Sequence, residues 1–293
     1  MVNGLISIIC LHISQVGRSM LVIVWGKTIG YKKHKYFLVT AIVWSITLLI
    51  VLNPAEAQAL EWAKTELHYQ YGRLDTPEFA GGGRENTHIL TFQHASGWKY
   101  GDNYTFIDYL NDTGHDGFND TEFYGEYYAN FSMSKISGKS FTLGPIKDIG
   151  LLAGINFAID AEVKKYLPGI RFSWSLPGFT FFNTDFTAYI DDSNGVRSGG
   201  APRESDSFMI DVNWASPFQI GSHRFSIEGH IEYIGKRTNE FSDTVSDWVL
   251  GQPQVRYDLG NTLFNRPNKL FIGTECQFWL NKLGDKDTDE ITA

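Results

Sequence analysis

Glutamates and tyrosines crowd the stretch EFYGEYYANFSMSK (residues 122–135), and the same mixture of acid, base and ring returns at Arg171, Asp185, Tyr189, Glu228, Arg256, Phe271 and Glu275. Rings stack on flat solutes, while carboxylates accept and guanidiniums donate hydrogen bonds to hydroxyl groups. Because both signs of charge are present, the set suits a neutral polar solute better than an ion of one sign. Catalysis is a poorer fit. A nucleophilic serine needs a histidine within hydrogen-bond reach, and Ser226, the same-face neighbour of His230, stands about 13 Å away along an extended chain. The histidines show no His-x-x-x-His spacing on a helix, and His230 between Glu228 and Glu232 reads as a hydrogen-bonding group. No catalytic residue, cofactor or metal ligand is assigned, and the chain is not read as an enzyme.

The elements that position these groups follow from a two-residue period that recurs from residue 61 onward, with no helical period of useful length. In the first stretch Phe123, Gly125, Tyr127, Ala129, Phe131 and Met133 share one parity, while Glu122, Tyr124, Glu126, Tyr128, Asn130 and Ser132 share the other. Successive strand side chains point to opposite faces, so each strand has an oily face and a wet one. The division repeats at 182–191, 208–214, 225–233, 249–259 and 270–279, and further segments run over 61–72, 87–95, 100–110, 147–159 and 165–175. That makes eleven strands. Pro168 and Pro253 fall inside them, where a proline leaves a ladder defect.

A soluble β-sandwich alternates in the same way. Two features favour an antiparallel transmembrane β-barrel instead. The segments reach the 9–11 residues that a tilted membrane strand takes, and their apolar faces carry Tyr127, Tyr166, Trp174, Trp214, Tyr233, Tyr257 and Phe278 as candidate girdle rings. Connections at 73–86, 111–121, 160–164, 191–206, 235–246 and 282–290 form one end, and mostly shorter ones at 96–99, 135–146, 176–179, 217–223 and 260–268 form the other. With the wet parity inside, Tyr124, Glu126, Tyr128, Arg171, Asp185, Tyr189, Glu228, Arg256, Phe271 and Glu275 line a lumen as the substrate-binding residues. The reverse parity would put carboxylates into hydrocarbon on several strands. Asp112, Asp116 and Asp120 in one long loop, and Asp285, Asp287, Asp289 and Glu290 in another, read as solvated charge.

Residues 1–59 form a separate leader. Basic residues at 31–35, an apolar run at 37–52 and small residues around Ala57 and Ala59 follow the order of a secretory signal peptide, cleaved after one of those alanines. The barrel domain is then 60–293. Loss of residues 1–57 removes five basic side chains and one acidic one, leaving 20 Lys+Arg against 32 Asp+Glu, a net charge of −12. This excludes a nucleic-acid partner, whose phosphates need a basic footprint. Of the two cysteines only Cys276 survives, so no internal disulfide forms. Single-chain bacterial barrels have even strand numbers, and the expectation is twelve, with a closing strand that begins at about 291 and is missing from the chain.

The stretches EFYGEYYANFSMSKISG, LGPIKDIGLLAGIN, LPGFTFFNTDFTAY, GQPQVRYDLG and PNKLFIGTECQFWLNKLG resemble the Tsx-like nucleoside-specific channel-forming proteins of Gram-negative outer membranes, in particular the OmpK-type branch. The resemblance runs over residues 60–293, and its most specific piece is the Gly-Pro-Ile-Lys-Asp turn at 144–148. It implies a twelve-stranded barrel among outer-membrane lipids and lipopolysaccharide, with a narrow lumen that passes nucleosides or similar small solutes. In the OmpK branch it also implies a receptor for bacteriophage, so the alternative is a plugged receptor barrel without specific transport.

Overall fold

Alternation of apolar and polar residues produces one long antiparallel sheet that curls round on itself. The computed structural model of the protein describes residues 8–12, 60–115 and 117–293. The apolar run 37–52, the alanines at 57 and 59 and Asp116 lie outside the described residues.

In chain order the strands are β1 (Ile8–His12), β2 (Leu60–Asp75), β3 (Arg84–Trp98), β4 (Gly101–Asp112), β5 (Glu122–Ser132), β6 (Ile146–Ala158), β7 (Val163–Trp174), β8 (Phe181–Asp191), β9 (Ser207–Ile220) and β10 (His223–Ile234). A two-stranded ribbon, β11 (Arg237–Thr238) with β12 (Thr244–Val245), follows in a long loop. The next barrel strand comes in two pieces, β13 (Trp248–Gly251) and β14 (Gln254–Asp258), as does its neighbour, β15 (Leu270–Glu275) and β16 (Gln277–Leu280). β17 (Glu290–Thr292) ends the order.

Each strand from β2 to β10 pairs with the next, β10 pairs with both β13 and β14, and these pair with β16 and β15 respectively. All eleven strands read from the sequence are present. The twelfth position, between β15–β16 and β2, is shared by two short pieces. β17 pairs with β16 at Gln277↔Thr292, Phe278↔Ile291 and Trp279↔Glu290. β1 pairs with β15 on one side and with β2 on the other. The result is an all-β, antiparallel, nearly closed barrel of twelve strands. The strand expected to begin at about 291 does so, at Glu290–Thr292; the expectation that the rest of its position is vacant is corrected, because Ile8–His12, from the segment read as leader, pair there. Cleavage after Ala57 or Ala59 would remove that piece.

The breaks have local causes. Pro253 cannot donate to a ladder and separates β13 from β14, while Cys276, whose N–H bonds to the Pro253 carbonyl at 2.9 Å, separates β15 from β16. Gly229 faces the same place with φ 147°, and a Cβ there would lie 2.3 Å from the Gln252 carbonyl oxygen. Pairing of β7 with β8 skips from Tyr166↔Ile190 to Gly169↔Thr187, leaving out Pro168. Both proline positions are thus ladder defects, as read from the sequence.

The strand 122–135 ends earlier than its alternation suggests. Ser132 accepts the Lys135 N–H with its hydroxyl at 3.1 Å, which starts the helix α1 (Met133–Ser137), and Gly138 closes it with φ 67°. Met133 therefore belongs to a helix, and the length of this connection at the short-turn end is explained by it. A second helix, α2 (Leu259–Phe264), is capped by the Asp258 carboxylate.

Candidate functional site

The wall of the barrel interior follows from cross-strand register, because residues directly opposite in an antiparallel pair share a face. Asp108 pairs with Tyr124, Phe106 with Glu126 and Tyr104 with Tyr128. Arg171 pairs with Asp185, Asp185 with Asp211, and Asp211 with Glu232. Every residue assigned to the lumen sits on the inward parity, whereas Tyr127, Phe131, Leu151, Ile170 and Phe208 are exposed on the outside. Tyr127 lies midway along β5, so it is not part of a rim girdle.

Four groups organise the inner wall. The first centres on Arg256, 2% exposed, whose guanidinium donates to both oxygens of Glu66 at 3.2 Å, donates to Glu228 and stacks on Phe271 at 4.2 Å. Glu66, 1% exposed, also meets Lys64 at 2.9 Å and His68 at 3.1 Å. The second group joins Arg171 to Asp185 through two bonds of 2.8 and 2.6 Å and to Asp102 at 3.3 Å. Arginine is suited to such planar pairing with a carboxylate. Both guanidiniums are therefore held by carboxylates of the wall itself.

The third group is aromatic. Tyr104, Phe106 and Tyr124 form a run with ring centroids 6.1 and 5.9 Å apart. Tyr124 donates to Glu126, Tyr128 donates to Asn156 at 3.1 Å, and Tyr104 donates to Gln93 at 3.3 Å. Glu275 stands elsewhere, accepting from Gln70 at 3.1 Å and from Gln252 at 3.3 Å. The fourth group lies toward the long-loop end. Tyr189 is 5.4 Å from both Lys165 and Arg237, and these two cations share Glu204 at 2.6 and 2.7 Å. Arg237 also covers Trp248 at 4.1 Å.

The interior holds more than the sequence reading placed there. Tyr128 and Tyr189 pack with Leu152, Leu167, Met209, Ile234 and Trp248 into a buried apolar cluster. Met209 shares its parity with Asp211, and Ile234 with Glu232, so the period itself carried the signal. Phe106 and Tyr104 were legible in the same way. Glu204 and Arg237 come from loops, where no period exists to announce them. Two acids are corrected. Glu122 does not line water: its carboxylate accepts the backbone N–H groups of Phe123, Ile159, Asp160 and Ala161 at 2.7 to 3.1 Å and so fixes the next turn. Glu290 is not solvated loop charge; it is 1% exposed and pairs with Lys282 at 2.6 Å.

Asp285 does keep largely to the surface of its loop. Burial pushes its carboxyl up, but hydrogen bonds from the Asp287 N–H, the Thr288 hydroxyl and the N–H groups of Glu78 and Phe79 outweigh that and hold it below the usual carboxylate range. Chemically, the interior offers stacking surfaces, hydroxyl acceptors and tightly paired charges. Ser226 bonds to Glu228 at 3.2 Å, whereas His230 bonds to Asp211 and Gln252. No protein-family model matches the chain, and a search of curated proteins finds no match either.

Proposed function

We propose that this chain is an outer-membrane β-barrel whose narrow interior lets nucleosides, or similar small neutral solutes, diffuse through. Residence in a membrane is supported by the outward face, where Leu67, Leu90, Leu151, Ile170, Phe186 and Ile227 stand exposed on neighbouring strands. An apolar wrap of that extent matches lipid, and in water it would drive association.

The observation that carries the solute reading is the run Tyr104, Phe106 and Tyr124 beside the acceptors Gln93 and Glu126 and the donor amide of Asn156. A base stacks on such rings for about 1–3 kcal/mol each, while sugar hydroxyls donate to the acceptors. Weak sites in series are what conduction requires. Planar-bilayer recording of the folded protein tests this: adenosine should block the current, and Tyr124→Ala should weaken the block by about 1–3 kcal/mol. Current indifferent to adenosine would leave a general small-solute pore.

A second reading is a closed barrel that serves as a receptor through its long loops. The apolar cluster around Leu167, Met209 and Ile234 favours it, because small barrels are commonly filled by side chains. It forecasts no conductance in the unmodified protein and the appearance of conductance in Met209→Ala/Ile234→Ala.

A further inference from the structure

A different part of the inner wall, on β9 and β10, carries an arrangement that stacking does not explain and that one ion pair, His230 with Asp211 at 3.1 Å, explains only in part. Asp211, His230 and Glu232 each bring one donor atom to within 4.8 Å of the others. Asp211 and Glu232 are directly opposite in the register, and His230 is diagonal to Asp211. Like charges directly opposite on a sheet repel, yet both residues are buried, at 8% and 7% exposed. Asp185 and Glu290 meet Arg171 and Lys282; among the described residues no lysine or arginine forms an ion pair with Asp211 or Glu232. Among the described residues none donates a hydrogen bond of normal geometry to the Glu232 carboxylate. Its neighbour, the Trp248 indole, leaves its own N–H unpartnered. A buried carboxylate without a counter-charge is costly.

The surrounding side chains orient the three donors. Gln252 gives its amide hydrogens to Glu275 and Gln277 at 3.3 and 3.1 Å, so its oxygen faces His230 Nε2 at 2.9 Å. That oxygen accepts the Nε2 proton and leaves His230 Nδ1 directed at Asp211, 3.1 Å away. Asn213 donates to the second oxygen of Asp211 at 2.7 Å. A ring nitrogen anchored through its partner nitrogen, with a carboxylate anchored through its spare oxygen, is how proteins hold metal ligands.

We propose that Asp211, His230 and Glu232 bind a divalent transition-metal ion of the zinc class on the inner wall, through His230 Nδ1 and one oxygen of each carboxylate. One imidazole and two carboxylates suit such an ion better than calcium or magnesium, which prefer oxygen alone. The ion offsets the two facing carboxylates, and its remaining positions open to the interior. The site is independent of which solute crosses the barrel.

The folded 293-residue protein in detergent, checked by the mobility of its unheated band, is titrated with Zn²⁺ by calorimetry and with Co²⁺ by visible absorption. One equivalent should bind. Affinity should fall at least tenfold in Asp211→Asn, His230→Gln and Glu232→Gln, and about tenfold in Gln252→Met, which removes only the orienting oxygen. His115→Gln, in an exposed loop, should bind as the parent does. Asp211→Cys should add a thiolate-to-cobalt absorption band, a gain that misfolding cannot imitate. Absence of saturable binding at one equivalent, survival of binding in His230→Gln/Glu232→Gln, or a folded Asp211→Cys protein without the new band would each overturn the proposal.

Discussion

At the scale of single residues, the interior is governed by what happens to charge when water is scarce. Arg256 is held by Glu66 and Glu228 and lies on the face of Phe271, so its removal leaves two acids facing each other in a confined space. Breaking a buried pair from one side costs about 3–5 kcal/mol, whereas replacing both partners with apolar or neutral groups of similar volume is often near neutral. Arg256→Met should therefore lower the urea midpoint strongly, and Arg256→Met/Glu66→Gln should recover much of the loss. Equal midpoints for the single and double variants would show that the pair is not coupled. Arg171 with Asp185 is built on the same plan.

At the scale of elements, the two-residue period located all eleven strands and both proline defects, because one burial pattern governs every crossing. It also put the assigned residues on the correct face. Its blind spot was chemical. Leu167, Met209 and Ile234 look like outward residues by type but are inward by position, and hydrophobicity alone cannot tell lipid from a packed interior. Met133 marks another limit, since a serine cap and a following glycine override alternation within one residue of the strand end. The crease formed by Gly229, Pro253 and Cys276 is testable. Gly229→Ala combines an unfavourable φ of 147° with a close approach to the Gln252 carbonyl. It should destabilise the barrel by about 1–3 kcal/mol, visible as a lower unfolding midpoint, while Gly221→Ala in the adjoining turn, with open space around it, should cost less. In the long loops the Asp285 carboxylate joins residues 78–79 to 285–288. Its folded pKa is depressed, so this contribution is complete above the ordinary carboxylate range and fades as pH falls through that range toward the lower folded value. Hydrogen exchange at Glu78 and Phe79, corrected for intrinsic rate, should show protection declining over that acidic interval; Asp285→Asn should remove the dependence.

At the scale of the whole molecule, closure depends on a position divided between β1 and β17. A strand edge left open would present unpaired backbone groups to its surroundings. The full chain refolded into detergent is expected to run as a compact unheated band that shifts on boiling, and a chain beginning at Leu60 to lose that band at a lower temperature. Identical melting of the two would show that β17 alone suffices.

Several of the bonds that bring the sheet round join residues almost the whole chain apart: Lys282 with Asp75, Thr292 with Arg73, Glu275 with Gln70 and Arg256 with Glu66, at separations of 190 to 219 residues. Closing such a clasp before the hairpins between have formed costs the most loop entropy, so it is expected late and slow. Assembly of this protein is accordingly timed by its last fastening rather than by any of its hairpins, and the unfastened sheet is the species that a folding catalyst would have to guard.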